Sequence, residues 1–202
     1  FYPPRHDWQT PPCMRGRGIK GHDTFIEAAA LVHAQRPDVR FVLAGTGWGE
    51  AGERYRQSLI ARVAALDLSH RILFTGHVAD VPGVLAACDV AVQCSLSENY
   101  GGTIEALLME RPTIATHVGG MPETVKDGDT GVLVPPSDPA ALAAATLRLL
   151  DNREDALRMA RAGRQLMLSR FDIAHTVTGI EAVYDGMGAY GTPAPSALRS
   201  PA

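Results

Sequence analysis

The sequence contains no apolar run that approaches the roughly 20 residues a helix needs to cross a lipid bilayer. It also has no excess of basic residues, since 19 Lys and Arg against 22 Asp and Glu give a formal net charge of -3. That balance argues against a general nucleic-acid-binding protein, whose signature is a basic surface. The remaining composition, 46% hydrophobic and 20% charged, is that of an ordinary globular protein. A chain of 202 residues is long enough to bury a sizeable core.

Cysteine is scarce as well. The chain has three, Cys13, Cys88 and Cys94, which cannot all pair with one another. None stands at metal-ligand spacing from a histidine or another cysteine, so the sequence predicts no metal site. Cys88 and Cys94 lie in apolar stretches, which is typical of small core residues. This usage favours a reducing, cytoplasmic compartment.

Short apolar segments alternate with segments of helical periodicity along most of the chain. The predicted strands are 40–45, 71–76, 89–94, 112–117 and 132–134. The predicted helices include 22–35, 51–66, 84–88, 140–150, 152–168 and 173–187, and another follows the glycine pair at 101–102. In helix 173–187, the side chains predicted to face inward are Val177, Ile180, Val183 and Tyr184. Strands separated by helices indicate an α/β fold, a Rossmann-like parallel sheet flanked by helices.

Polar and glycine-rich segments follow most of these strands, and ligands of parallel sheets bind beyond the carboxyl ends of the strands. The most informative is 95–110, in which a glycine pair and Thr103 open a helix between two carboxylates, Glu98 and Glu105. The first amides of a helix have no partner within it, so this segment predicts an anion site. A common turn, with Thr103 as an ordinary cap and Glu105 suiting the helix dipole, is the alternative interpretation.

Three further segments and His77 are expected at the same edge of the sheet. In 13–21, three cations alternate with three glycines, which suits phosphate but also suits a solvated basic loop. The glycines at 45 and 47 make a weak dinucleotide fingerprint, because position 50 is Glu rather than Gly, so a tight turn is favoured. Segment 119–123 repeats the order of strand, glycine pair and helix start. His77 follows the second strand, and a lone loop histidine is often simply exposed.

Several motifs, in order and spacing, carry a family resemblance. They are Arg15 with Lys20-Gly21, 41–47, Phe74-Thr75-Gly76, Asp89-Val90, Ser97-Glu98 through Glu105-Ala106, 112–116, and 118–125 with Gly128 and Thr130-Gly131. Over residues 15–184 the chain resembles the C-terminal, donor-binding half of a retaining glycosyltransferase of the GT-B fold, family 4 (glycosyltransferase group 1). The resemblance implies a hexosyltransferase that uses a UDP- or GDP-linked sugar and needs no metal or other cofactor.

The resemblance also implies roles for individual residues. Arg15 and Lys20 would hold the donor diphosphate and, with the helix N-terminus, stabilise the leaving nucleoside diphosphate. Glu98 would contact the transferred sugar and Glu105 the ribose hydroxyls, since a carboxylate accepts two hydrogen bonds from a diol. The remaining donor-binding residues are Gly101, Gly102 and Thr103 around the phosphates, His77 and Val78 against the base, and Gly47.

The chain departs from the family pattern in two places. Six residues separate Glu98 from Glu105, where the usual motif has seven. Arg17 also competes with Arg15, and we prefer Arg15 because its spacing to Lys20 is that of the family. If the missing residue between the two glutamates turns Glu98 away from the ligand, Glu105 is the firmer of the two carboxylate predictions.

The expected domain organisation follows from the same resemblance. Residues 1–14 would be a linker from a preceding acceptor-binding domain, 15–172 the nucleotide-sugar-binding domain, 173–187 a helix that crosses back to the first domain, and 188–202 a disordered tail. The chain is thus interpreted as a fragment of a cytoplasmic enzyme that does not bind nucleic acid, and peripheral association of the full enzyme with the inner face of the membrane is left open. The alternatives are a non-catalytic nucleotide-binding module and a nucleotide-sugar 2-epimerase. A dinucleotide oxidoreductase is disfavoured by the incomplete glycine motif.

Overall fold

The computed structural model describes residues 18–188. Predicted and observed elements agree in type and order, with ends that differ by up to three residues. In chain order the elements are α1 (His22–Gln35), β1 (Phe41–Ala44), α2 (Gly49–Ala65), β2 (Ile72–Gly76), α3 (Val81–Ala87), β3 (Ala91–Gln93), α4 (Gly101–Leu108), β4 (Thr113–Thr116), α5 (Met121–Thr124), β5 (Val132–Val134), α6 (Pro139–Asp151), α7 (Arg153–Arg170) and α8 (Ile173–Gly188).

The strands are all parallel, but they form two sheets where the sequence predicted one. β1 pairs with β2, and β3, β4 and β5 form a second sheet with β4 in the middle. Strand pairing depends on hydrogen bonds between segments far apart in the chain, which the pattern of a single strand does not specify. One hydrophobic cluster nevertheless includes Phe41 and Ile72 of the first sheet together with Ile114 and Val132 of the second. The two sheets therefore share a core.

Side-chain caps fix where several helices begin. Asp80 accepts a hydrogen bond from Gly83 N at 2.9 Å, Asp138 from Ala141 N at 2.9 Å, and Asn152 from Asp155 N at 3.2 Å. Caps of this kind stabilise a helix by about 1 kcal/mol each. The N-terminal ends of α3, α6 and α7 are therefore fixed by local sequence. Helix α6 in turn packs on α1.

The last helix, α8, differs from the sequence prediction. Val177, Ile180, Val183 and Tyr184 were expected to face inward, but they are 45–69% exposed. Helical periodicity shows that one face is apolar, and it does not show which surface covers that face.

Of the helices in the described part of the chain, none has both the length and the apolar character needed to cross a membrane.

Candidate functional site

A tight turn over residues 18–21 places Lys20 at the carboxyl edge of β3. Gly21 N donates to Gly18 O at 2.8 Å, and Gly21 has a φ of 70°. A Cβ on Gly21 would lie 1.9 Å from Cys94 O, so only glycine fits between the turn and the end of β3. Leu96 N donates to Ile19 O at 2.7 Å on the same side. The glycine predicted from the motif is thus required by close packing.

Lys20 and Glu98, 78 residues apart in the chain, form an ion pair between Nζ and Oε2. The Glu98 side chain is 16% exposed and that of Lys20 is 37% exposed, so the pair lies at the protein surface but is partly desolvated. Asn99 N donates to Glu98 Oε1 at 3.1 Å, and Ser95 Oγ lies 3.4 Å from Oε2. Two residues predicted to serve one site are therefore in direct contact.

The glycine pair after β4, Gly119 and Gly120, packs against the loop after β3 that carries Glu98. Gly120 N donates to Glu98 O at 3.3 Å. Gly119 has a φ of 53°, and a Cβ there would lie 1.9 Å from Glu98 O. The loops that follow β3 and β4 consequently touch through backbone atoms, and they fix the position of Glu98.

The N-terminus of α4 lies directly after Glu98. Asn99 Oδ1 accepts a hydrogen bond from Gly101 N at 2.9 Å, and a Cβ on Gly102 would lie 2.5 Å from Gln93 Nε2. The Thr103 hydroxyl is buried and lies 2.7 Å from both Tyr100 O and Thr124 Oγ1. Because that hydroxyl is engaged within the protein, a phosphate contact from Thr103 would come from its amide.

The other predicted site residues follow β1 and β2 or lie within α4. Glu105 is exposed on α4, four residues from the start of the helix. Gly47 precedes α2 and packs closely on its backbone, since a Cβ there would lie 2.4 Å from Glu53 N. His77 is exposed and Val78 is half-buried after β2. Arg15 and its competitor Arg17 lie outside the described residues, as do the predicted linker 1–14 and residues 189–202 of the predicted tail.

Sequence reasoning missed the residues that support the turn from behind. Neither Asp23, near the start of α1, nor Tyr55, on α2, was predicted as a site residue. In the structure the Tyr55 hydroxyl donates to Asp23 Oδ2, and Gly18 N donates to the same oxygen at 3.2 Å. No local pattern indicates a contact between residues 32 apart. The only available signal was a tyrosine, which carries a polar hydroxyl, at a core position.

Burial sets the protonation of two groups beside the turn. It raises the pKa of the Cys94 thiol to about 12, so the thiol stays neutral and donates to Gly21 O at 3.3 Å. It lowers the pKa of His22 to about 4, so this imidazole is neutral at pH 7. Within residues 18–188, no group of three or more His, Cys, Asp or Glu side chains is arranged to hold a metal ion.

The sequence is similar to those of known glycosyltransferases. The chain is 31% identical over 172 residues to the alpha-D-kanosaminyltransferase of Streptomyces kanamyceticus, a match that covers 84% of this chain and 43% of that enzyme. The chain thus spans less than half the length of this curated relative.

Two solved structures share the fold. HepE of Anabaena in complex with UDP is 27% identical with a TM-score of 0.78, over 83% of this chain and 46% of HepE. The C-terminal domain of a group 1 glycosyl transferase, LpcC of Francisella tularensis, is 28% identical with a TM-score of 0.70, over 77% of this chain and 81% of that domain. The family described as glycosyl transferases group 1 matches residues 14–152, which is more than half of the chain. The protein therefore belongs to the glycosyl transferases group 1 family.

Proposed function

We propose that the chain is the donor-binding half of a retaining glycosyltransferase, which transfers a hexose from a UDP- or GDP-linked sugar to an acceptor. The observation that supports it most directly is the contact between Lys20 and Glu98 beside the N-terminus of α4. One cation, one carboxylate and a helix N-terminus at a single edge are the groups that a nucleotide sugar needs, because it carries a diphosphate next to a polyhydroxylated ring.

Each group has a separate role in this proposal. Lys20, with the amides of Gly101, Gly102 and Thr103, neutralises the negative charge that grows on the diphosphate as its bond to the sugar breaks. Glu98 accepts hydrogen bonds from hydroxyl groups of the transferred sugar, and Glu105 accepts those of the ribose. Charge stabilisation by these groups supplies the leaving-group assistance without a metal. The UDP and UDP-glucose complexes of the similar protein HepE support a nucleotide-sugar donor.

The acceptor would bind to a preceding domain. The exposed apolar face of α8, which includes Ile180 and Val183, supports this proposal because it gives such a domain a surface to cover. The chain also covers only 42–43% of the first relatives, which leaves length in them for a second domain. Transfer itself would then need both domains.

Transfer assays with the intact enzyme test the function. Replacing Lys20 or Glu98 by alanine should lower turnover severely. Lys126→Ala is the matched control, since this exposed lysine donates to Pro122 O rather than to a carboxylate. Near-normal turnover by both variants would contradict the proposal. Titration of the 202-residue chain with UDP and with GDP separates a nucleotide-binding domain from an inert one and identifies the base.

A further inference from the structure

The turn that carries Lys20 is held from the side of α2 by a two-residue contact. Asp23 Oδ2 accepts hydrogen bonds from the Tyr55 hydroxyl and from Gly18 N, the latter at 3.2 Å. Tyr55 belongs to α2, and its side chain is only 6% exposed. The first residue of the turn is thereby tied to a helix that contributes no residue to the proposed donor site.

Packing strengthens this connection. A Cβ on Gly18 would lie 2.3 Å from the Tyr55 hydroxyl oxygen, so the ring lies directly against the turn. Burial, together with the hydrogen bond to Asp23, raises the pKa of Tyr55 well above its ordinary value. The hydroxyl therefore keeps its proton and stays a donor across the physiological pH range.

The opposite side of the turn is held by the segment after β3. Leu96 N donates to Ile19 O, and the Cys94 thiol donates to Gly21 O. Lys20 lies between these two sets of contacts, so the backbone on both sides of it is fixed. A lysine side chain has several rotatable bonds, and fixing its backbone lowers the cost of directing Nζ to one place.

We propose that Asp23 and Tyr55 are positioning residues, which hold the turn 18–21 so that the Lys20 ammonium faces the donor diphosphate. The inference rests on the proposed function, since it assigns to Lys20 the binding of that diphosphate. It goes further by assigning part of the donor affinity to a buried hydroxyl of α2, which acts through Asp23 and the turn.

A double-mutant cycle on the 202-residue chain tests this, with UDP as the titrated ligand and calorimetry as the readout. Tyr55→Phe removes only the hydroxyl and keeps the ring in the core. It should weaken UDP binding about three- to tenfold, as expected from the loss of one buried hydrogen bond. The double variant with Lys20→Ala should bind UDP no more weakly than Lys20→Ala alone, because Tyr55 acts through Lys20.

Three further variants test the role of Asp23 and control for the loss of a tyrosine hydroxyl. Asp23→Asn keeps an oxygen that accepts from both donors, so it should bind UDP more tightly than Asp23→Ala does. Tyr184→Phe removes an exposed hydroxyl from α8 and should bind UDP as the unmodified chain does. Thermal melts show whether each variant is folded at the temperature of the titration.

The outcomes separate the two proposals. If the unmodified chain binds UDP and Lys20→Ala weakens it, while Tyr55→Phe binds normally, the positioning role is wrong and the donor site stands. Additive losses for Tyr55→Phe and Lys20→Ala would also overturn it, because the hydroxyl would then act independently of Lys20. If the unmodified chain fails to bind UDP and GDP, or Lys20→Ala changes nothing, the proposed function falls and this inference falls with it.

Discussion

Replacing Glu98 by glutamine should raise the affinity of the chain for UDP, although Glu98 is proposed as a site residue. In the structure Lys20 Nζ is already paired with Glu98 Oε2. A diphosphate that binds Lys20 must compete with this carboxylate. Glutamine has the same size and keeps an oxygen for Asn99 N, which donates to Oε1 at 3.1 Å, but it removes the competing charge.

The size of the effect follows from the exposure of the pair. With side chains 16% and 37% exposed, the pair is better shielded than a fully solvated one and belongs at the upper end of the surface range, about 1 kcal/mol. A free energy of about 1 kcal/mol corresponds to roughly a fivefold lower Kd for UDP. Since the competition is electrostatic, the difference between the two proteins should shrink at high salt.

Calorimetric titration with UDP and with a UDP-sugar gives the full test. The gain should appear with UDP alone, because with a UDP-sugar the variant also loses the hydrogen bonds of Glu98 to the sugar. Transfer by the intact enzyme should fall about ten- to a hundredfold, as expected for a charged hydrogen bond. Glu105→Gln is the matched control, and it should not raise UDP affinity. Equal or weaker UDP binding by Glu98→Gln would refute the reasoning, because it would mean that Glu98 does not compete with the diphosphate for Lys20.

Three other predictions concern stability. Gly119→Ala should lower the free energy of unfolding by more than about 2 kcal/mol, since it combines a positive φ with a Cβ 1.9 Å from Glu98 O. Gly128 has a φ of 74°, but a Cβ there would meet no described atom within 4 Å. Gly128→Ala should therefore lower the free energy of unfolding by only about 1 kcal/mol. Urea titrations measure both variants, and equal losses would contradict the steric argument. The depressed pKa of His22, about 4 against 6.5, means that the unfolded chain binds the proton first, so stability should fall by about 2 kcal/mol from pH 7 to pH 5. His22→Gln should reduce this loss of stability between pH 7 and pH 5. An unchanged dependence of the unfolding free energy on pH would show that His22 does not cause it. Ile180→Ser on exposed α8 should change the unfolding free energy of this chain by less than about 0.5 kcal/mol, and a large loss in urea titrations would show that this face is buried.

Much of the fold could be predicted because its signals are local. Helix and strand periodicity located the elements, and the Asp138 cap that fixes the start of α6 joins residues only three positions apart. Glycines at 21 and 119 were noticed as motif members, and the structure explains them by backbone approaches of 1.9 Å that exclude a Cβ. The order of the motifs was also sufficient to indicate the glycosyltransferase family.

The parts that could not be predicted all depend on contacts between distant segments. Sheet pairing split the five strands into two groups, and the apolar face of α8 stayed exposed where burial was expected. An apolar pattern reports that a face avoids water, and the identity of the covering surface is a property of the assembled protein.

For the site itself, the sequence alone determined which residue types follow the strands, and hence that a lysine, carboxylates and glycines were predicted to serve one site. Only the tertiary structure decided that Lys20 pairs with Glu98 and that Asp23 accepts hydrogen bonds from Tyr55 and from the turn that carries Lys20. The physical reason is that hydrogen bonds and ion pairs act over about 3–4 Å. Residues 32 and 78 positions apart come within that range only after the chain has folded.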